Sequence, residues 1–273
     1  MASRYALHDR TAVVTGAASG IGRAVSHSLA RRGCGLALAD LDADGLAETA
    51  DRVRRFGVHV STHALDVADR EAVAALPEAV TSEHPGVDVL VNNAGVALGG
   101  TFERVGEADF EWLFEINFWG VVRMTRAFLP LLKASDDARL VNVSSIYGII
   151  APPGQVPYVS SKFAVRGFSV ALAHELAGTS VGVTVVHPGG VATNIADRAR
   201  APEDATDAEI ATNRAQAKAL LTLPPEKAGE IIVEGIEKRR TRVLVGSDAR
   251  AAAALERLVP VRYWSLIRRR AGR

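Results

Sequence analysis

The feature that most constrains the fold of this chain is a repeated alternation of short apolar runs with amphipathic helical stretches. Over the first two-thirds of the sequence, each apolar run is followed by a turn and then by apolar residues at helical spacing. Runs as apolar as GLALAD (35–40) imply strands buried on both faces, which a parallel sheet between two helical layers provides. No long linker and no second repeat set occurs, so we predict one α/β domain over residues 1–273.

The same alternation sets the expected elements. Strands are predicted at 11–16, 35–40, 58–67, 87–93, 139–145, 181–190 and 241–246. Helices are predicted at 21–33, 42–56, 69–83, 108–132, 157–176 and 225–238. Residues 194–223 break the pattern with a polar, alanine-rich, helix-prone stretch, and residues 255–273 interleave arginines with apolar residues.

In an open parallel sheet, ligands bind beyond the carboxyl ends of the strands, so the residues at those ends indicate function. The first strand ends in TGAASGIG, whose glycines Gly16, Gly20 and Gly22 would let the backbone approach a pyrophosphate at a helix N-terminus. A glycine-rich turn without a ligand is the alternative. The spacing differs from G-x-G-x-x-G, so that general fingerprint does not apply.

Acidic and polar residues end the following strands. Asp40 could accept hydrogen bonds from an adenosine ribose, or it could cap a helix, a role that Asp42 or Asp44 could also fill. Asp66 and Val67 close the predicted third strand, where an adenine amine could be met. NNAG (92–95), Ser144-Ser145 and HPGGVAT (187–193) follow three further strands, and five such ends on one rim exceed what chance comfortably explains. His187 is interpreted as structural.

Tyr158 and Lys162 stand four residues apart at the start of a helix that Pro157 introduces. Positions i and i+4 share one helix face, where an ammonium would favour the phenolate and lower the pKa of the tyrosine. Such a tyrosine can exchange protons near neutral pH. Tyr-x-x-x-Lys also occurs by chance in many helices, so this pair carries weight only together with the strand ends.

Together these residues resemble the short-chain dehydrogenase/reductase family, in its single-domain form. The resemblance runs from about Thr11 to Thr193. It rests on Thr15-Gly16-x-x-x-Gly20-Ile21-Gly22, Asn92-Asn93-Ala94-Gly95, Asn117, Ser145, Tyr158-x-x-x-Lys162 and Pro188-Gly189-x-Val191-x-Thr193. The resemblance implies a Rossmann-type, doubly wound parallel sheet of strand order 3-2-1-4-5-6-7 with helices on both faces.

The resemblance also implies hydride transfer between a nicotinamide cofactor and an alcohol or carbonyl. Tyr158 would exchange the proton and Ser145 would hydrogen-bond the substrate oxygen, while Lys162 would lower the tyrosine's pKa and bind the nicotinamide ribose. Asn117 would hold a water that connects Lys162 to solvent. The residues expected to bind the cofactor are Gly16, Ser19, Gly20, Ile21, Gly22, Asp40, Asp66, Val67, Asn93, Ala94, Gly95, Tyr158, Lys162, Pro188, Gly189, Val191 and Thr193.

Asp40 predicts NAD rather than NADP, because a carboxylate accepts hydrogen bonds from two free hydroxyls and repels a 2′-phosphate. Leu41 and Ser19 stand where a phosphate-preferring site would carry a cation, and Arg23 is the nearest cation in sequence, expected on the pyrophosphate side or in solvent. The main alternative to an enzyme is a non-catalytic protein that senses the dinucleotide on the same fold. Retention of both Tyr158 and Lys162 favours the enzyme.

Composition limits the partners. The net charge of +1 provides no field for nucleic acid, and no cluster with metal-ligand spacing occurs. Cys34 is the only cysteine, which excludes an intrachain disulfide and, with the absence of a signal-like start, leads us to expect a cytoplasmic protein.

The substrate is expected to be a hydrophobic secondary alcohol or ketone. This expectation rests on six apolar residues that lie near the catalytic positions in sequence: Val96, Leu98, Ile146, Ile149, Ile150 and Val156. The alternative is that these six residues pack the core. The segment 194–223 would cover the substrate, and the family resemblance favours a homodimer or homotetramer. For the tail 255–273, a subunit contact, a lid over a neighbouring site, a membrane-surface patch and a helix packed on its own domain all remain open.

Overall fold

The computed structural model describes residues 4–271 and contains one seven-stranded, wholly parallel sheet. The strands are β1 Thr11–Thr15, β2 Gly35–Asp40, β3 Val60–Ala64, β4 Val89–Asn92, β5 Ala138–Val143, β6 Val181–Pro188 and β7 Arg242–Val245. Their spatial order is β3-β2-β1-β4-β5-β6-β7. The order of the chain reverses between β1 and β4, so the cleft beside these two strands is the expected ligand site. The predicted Rossmann-type fold is confirmed.

Ten α-helices lie within the described residues. They are α1 Gly20–Ala30, α2 Ala43–Arg54, α3 Arg70–Glu83, α4 Glu107–Phe114, α5 Gly120–Ala134, α6 Val156–Glu175, α7 Asp207–Leu220, α8 Pro225–Glu237, α9 Ser247–Leu258 and α10 Tyr263–Ala271. A π-helical turn at residues 115–119 joins α4 to α5, and a 3₁₀ turn occupies residues 146–148. No helix in the described part of the chain is both long and apolar enough to cross a membrane.

Two apolar layers hold the sheet, and the alternation of side chains along each strand assigns residues to them. On β1, Ala12 and Val14 pack with residues of α1, α2 and α8, whereas Val13 faces the opposite layer of α3, α5 and α6. The middle strands are therefore buried on both faces, as their composition predicts. Cys34 lies in the first of these layers and is fully buried.

Two predicted elements differ from the structure, and one helix has no predicted counterpart. The third strand ends at Ala64 rather than residue 67, because Asp66 Oδ1 accepts a hydrogen bond from the Ala68 amide (2.8 Å) and turns the chain. The single helix predicted at 108–132 is divided by the π turn. Helix α9 was not predicted. The helix expected within 194–223 is present as α7. The predicted tail 255–273 contains α10, and its last two residues, 272 and 273, lie outside the described residues.

Candidate active site

The glycine loop after β1 packs tightly against its neighbours. Gly20 has φ +52°, and a Cβ there would lie 2.9 Å from Cγ2 of Thr193. A Cβ on Gly22 would lie 2.0 Å from the carbonyl oxygen of Gly16. Larger residues at these two positions would push α1 away from β1, so glycine is required by the packing of the loop.

The N-terminus of α1 has no cap from the protein. Ser19 occupies the N-cap position without a side-chain hydrogen bond, and no acidic residue lies in the first turn. By contrast, Asp42 caps α2 and Asp69 caps α3. The free N–H groups and the positive end of the α1 dipole therefore remain available to an anion, and this is the arrangement that binds a pyrophosphate.

Asp40 lies at the end of β2 and faces the glycine loop. Its Oδ2 accepts a hydrogen bond from the Ala18 amide (2.9 Å), and its Oδ1 accepts one from the Asp42 amide (3.0 Å). The neighbouring Leu41 is 71% exposed. Asp40 therefore fixes the loop to β2 and does not cap α2, which is the role of Asp42.

The two cations near this end of the groove are both paired. Arg23 bridges α1 to α2, with Nε donating to Thr49 Oγ1 (2.9 Å) and Nη2 lying 2.7 Å from Glu48. Nη2 also donates to the carbonyl oxygen of Ala18 in the glycine loop, so this side chain is held against the loop and is not free in solvent. Arg198 reaches across from the segment after β6 to Asp42 at 3.3 Å. Within residues 4–269, no arginine or lysine forms an ion pair with Asp40.

The asparagines of NNAG hold the strand ends together. Asn93 Nδ2 donates to the carbonyl oxygens of Thr15 (3.0 Å) and Gly16 (3.2 Å). Asn92 donates to Thr125 (3.0 Å) and to Asn142 (2.9 Å) inside the sheet. Ala94 is half-buried and its amide donates to Thr15 Oγ1 (3.1 Å).

Asn117 reaches the site through the π turn, which inserts one extra residue into the helix. Its Oδ1 accepts from the Val96 amide (2.8 Å), and its Nδ2 donates to the Val96 carbonyl (3.0 Å). A Cβ added to Gly95 would lie 3.1 Å from Asn117 Oδ1 and 3.3 Å from Lys162 Nζ. Asn117, Gly95 and Lys162 are therefore close neighbours in the structure.

Ser145 and Tyr158 come together beyond β5. The Ser145 hydroxyl accepts a hydrogen bond from the Tyr147 amide (3.1 Å), which fixes the 3₁₀ turn, and the same hydroxyl is the neighbour that lowers the pKa of Tyr158. The ring of Tyr147 stands edge-on to that of Tyr158, with 6.1 Å between centroids. Tyr147 was not predicted as a site residue, although an aromatic residue two positions after Ser145 could have suggested it.

Burial dominates the ionisation of the Tyr–Lys pair. It raises the pKa of Tyr158 to about 12, against a partial lowering by the Ser145 hydroxyl, and it lowers the pKa of Lys162 to about 8. Lys162 Nζ lies 5.6 Å from the centre of the Tyr158 ring and donates to the Val143 carbonyl (3.3 Å). The lowering of the tyrosine's pKa that was expected from Lys162 is therefore not found in this arrangement, where burial raises the pKa and the Ser145 hydroxyl is the neighbour that lowers it.

His187 contacts the backbone of Ser145 from inside the core. It is fully buried, its Nδ1 lies 2.9 Å from the carbonyl oxygen of Ser145, and burial lowers its pKa to about 4. Because a carbonyl only accepts, Nδ1 carries the proton and His187 is neutral. Its contact is with the Ser145 backbone and not with the hydroxyl, so no Ser–His nucleophile pair is formed.

A chain of buried polar side chains lies beneath the site and was not predicted. Asn92 bonds Asn142, whose Nδ2 donates to Ser169 (3.0 Å), and Ser144 donates to the Lys162 carbonyl (2.8 Å). These bonds join β4 and β5 to α6, the helix that carries Tyr158 and Lys162. Sequence alone could not pair residues that are 27 or 50 positions apart.

The remaining predicted residues, which end or follow β6 and β3, or were expected to line the substrate pocket, lie in several different places. Pro188 ends β6 and Gly189 follows it, Val191 pairs with Leu223, and Thr193 lies against Gly20. Val67 packs against Gly120 beside the first strand, while Asp66 is exposed in the following turn. Three of the expected pocket residues, Ile146, Ile149 and Ile150, instead pack with side chains of α9 and α10, so these three belong to a local core.

No group of three or more His, Cys, Asp or Glu residues within the described ranges could hold a metal ion. The cleft beside β1 and β4 offers two hydroxyls, an amine and an amide, from Ser145, Tyr158, Lys162 and Asn117. The uncapped N-terminus of α1 lies at one end of this cleft, and Tyr158 and Ser145 lie at the other.

Comparison with known proteins agrees with this geometry. The profile of the family described as short chain dehydrogenase matches residues 10–204. The chain is 43% identical to the putative oxidoreductase SadH of Mycobacterium tuberculosis over 94% of each chain. It is 37% identical to 1-deoxy-11-beta-hydroxypentalenate dehydrogenase of Streptomyces exfoliatus, covering 73% of this chain and 74% of that one.

A solved structure shows the same architecture. A short-chain dehydrogenase/reductase from Burkholderia phymatum, in complex with NAD, superposes with a TM-score of 0.85 at 33% identity, over 93% of this chain and 95% of that one. Sequence profile, relatives and superposed fold agree with the rim of residues described above. The chain belongs to the short-chain dehydrogenase/reductase family of oxidoreductases.

Proposed function

We propose that this protein is an NAD-dependent enzyme that interconverts a hydrophobic secondary alcohol and the corresponding ketone. The observation that carries the proposal is the convergence of Ser145, of Asn117 and of the Tyr158–Lys162 pair on α6, drawn from three separate segments. The nicotinamide, when bound, supplies or accepts the hydride. The protein's residues orient the substrate and move the proton.

In this proposal two hydroxyls act on the substrate oxygen. Negative charge develops on that oxygen as hydride reaches a carbonyl, and donors aimed at it stabilise the transition state. With its pKa near 12, Tyr158 is protonated at neutral pH and can donate a proton in the direction of reduction. Lys162, whose pKa is near 8, is mostly protonated at neutral pH and would stabilise the phenolate that remains.

The groove residues support NAD as the cofactor. The uncapped start of α1 suits the pyrophosphate, and Asp40 would accept the two ribose hydroxyls while repelling a 2′-phosphate. Arg23 and Arg198 are already paired with carboxylates, and Leu41 offers no charge. The Burkholderia phymatum relative is described in complex with NAD, which is consistent with this proposal.

Apolar walls support a hydrophobic substrate. Leu98 is fully buried, Val96 is half-buried, and Val156 is exposed beside the start of α6, so three of the six expected residues remain candidates to face the substrate. The name of the Streptomyces exfoliatus relative describes a hydroxylated substrate. We further propose that the segment 194–223 covers this pocket. It is tied to the opposite wall by Arg200, which pairs with Asp109 at 2.8 Å and stacks on Trp112.

The enzyme is proposed to be a homodimer or homotetramer in the cytoplasm. Helices α5 and α6 are expected to form the subunit contact, and Trp119 just before α5, with Phe163 and Val170 on α6, is between 38% and 46% exposed. Apolar side chains grouped in this way are typical of a surface that another subunit covers.

The test is a panel of secondary alcohols and ketones of increasing length, followed at the nicotinamide absorbance with NAD and NADP at the same ionic strength. We expect turnover with NAD and an increase in kcat/KM with apolar substituents. Tight NAD binding without turnover on any member would favour the non-catalytic sensor. A higher kcat/KM with NADP would mean that Asp40 does not meet the ribose.

A further inference from the structure

The C-terminal elbow, which we define as residues 255–269, comprises the end of α9, a turn and most of α10. One side of it is packed on the domain. Tyr263 and Ile267 contact Ile149 and Ile150, and the Tyr263 hydroxyl accepts a hydrogen bond from the Ala151 amide (2.9 Å). The elbow is therefore held in a fixed orientation next to the loop that follows Ser145.

The turn of the elbow presents apolar side chains to solvent. Leu258 is 79% exposed, Val261 is 93% exposed, and Leu266 on α10 is 42% exposed. Single exposed apolar residues are common, but here two almost fully exposed side chains lie three positions apart at the tip of one turn. Neither contributes appreciably to the packed core, so folding does not explain them.

Cations surround this tip. Arg257, Arg262, Arg268 and Arg269 are exposed, and within residues 4–269 none of them forms an ion pair with a carboxylate. The sequence contains no Asp or Glu after Glu256. The elbow thus combines an apolar tip with unneutralised positive charge, whereas the chain as a whole has a net charge of only +1.

We infer that the elbow docks on the surface of an anionic lipid bilayer, with Leu258 and Val261 entering the interface and the arginines contacting lipid headgroups. An anionic bilayer satisfies both features, because apolar side chains gain from burial at the interface and cations are attracted to its negative surface. Nucleic acid phosphates would meet the arginines but not the apolar tip. A two-fold contact with a second copy would bring like charges together.

The inference extends to how substrate arrives. The packed side of the same elbow touches residues 149–151, which follow the catalytic Ser145. A bilayer at the exposed side would therefore lie near the loop that borders the proposed substrate pocket. This consequence rests on the proposed function, whereas the docking itself does not, and vesicle binding can be measured without substrate.

The experiment is co-sedimentation of the full chain with vesicles of phosphatidylcholine alone, or of phosphatidylcholine and phosphatidylglycerol in equal parts. We expect binding to the mixed vesicles that weakens as salt is added.

Arg262→Glu with Arg268→Glu should lower the partition coefficient about tenfold or more. Leu258→Asp with Val261→Asp should also lower it. As a matched control, Arg54→Glu with Arg55→Glu on α2 makes the same change in net charge and should leave binding near the wild-type value.

The inference is overturned if the wild type does not bind mixed vesicles at low salt, or if the control variant loses as much binding as the elbow variants. It is also overturned if only the arginine pair matters, since that result describes a general polyanion site, or if the elbow variants lower the mass of the oligomer instead. Cofactor affinity and thermal unfolding, measured on every variant, separate loss of docking from loss of fold.

Discussion

Lys162 is buried and Tyr158 is half-buried, and burial moves their pKa values apart, to about 12 for the tyrosine and about 8 for the lysine. The tyrosine is thereby kept as a proton donor, while the lysine approaches the range in which it can lose its charge. The sequence spacing predicts the meeting of the two residues. The direction of the tyrosine's shift depends on how deeply the ring is buried, which spacing cannot reveal.

Tyr158→Phe should lower kcat by about 10²–10⁴-fold, because the ring still packs but the proton donor is gone. The dissociation constant for NADH, measured by fluorescence, should stay close to that of the wild type. Lys162→Ala is the comparison variant and should weaken both turnover and cofactor binding. A Tyr158→Phe enzyme that kept more than about a tenth of its kcat would contradict the assignment.

Asp40 and Leu41 should together determine the choice of cofactor. Asp40→Ala removes the charge that repels a 2′-phosphate, and Leu41→Arg adds a cation at a position that is 71% exposed. The double variant should narrow or reverse the ratio of kcat/KM for NAD and NADP. Leu41→Lys combined with wild-type Asp40 is the control, in which the carboxylate remains and NAD should still be preferred.

At the scale of elements, the alternation of apolar runs and helices locates all seven strands, because strands buried on both faces have to be continuously apolar. Features that depend on contacts between distant residues are not accessible in this way. Asp66 ends β3 early through a local turn, and the π turn shifts Asn117 towards Val96. The bond between Asn92 and Asn142 forms only once β4 and β5 are neighbours.

The contact of α3 with the edge strand β3 should make stability depend on pH. His84 is 4% exposed, its Nε2 lies 2.9 Å from Ser61 Oγ, and burial, with His59 and His63 nearby, lowers its pKa to about 4. An unfolded histidine has a pKa of about 6.5, so the unfolded state binds more protons between these values. The stabilisation from neutral His84 is complete above pH 6.5 and is lost as pH falls towards 4. At pH 5 the loss in the free energy of unfolding is about 2 kcal/mol.

Urea unfolding between pH 5 and 7 would measure this dependence. We expect the slope of unfolding free energy against pH to be smaller in His84→Gln, which keeps an amide near Ser61 but cannot titrate. His174→Gln, at an exposed position on α6, is the matched control and should keep the wild-type slope. Equal slopes in all three proteins would show that His84 is not the titrating group.

At the scale of the whole molecule, the outer surface of α6 should hold subunits together. Phe163 and Val170 are seven residues apart on one helix face and are 38% and 46% exposed. Val170→Glu places a charge where a partner would bury an apolar side chain, so the oligomer should dissociate to a lower mass at micromolar concentration. Light scattering after size exclusion measures this mass. Ala75→Glu, on the exposed side of α3, should not change it, and an unchanged mass for Val170→Glu would place the interface elsewhere.

The strand order has a consequence for synthesis on the ribosome. Strand β1 is made first but lies between β2 and β4, and its partner Val89 in β4 leaves the ribosome long after Ala12. At about 5–20 residues per second, one edge of this buried strand stays unpaired for on the order of ten seconds. Nascent chains that end before β4 therefore display an open apolar edge. Chaperones would be needed to keep these chains from aggregating.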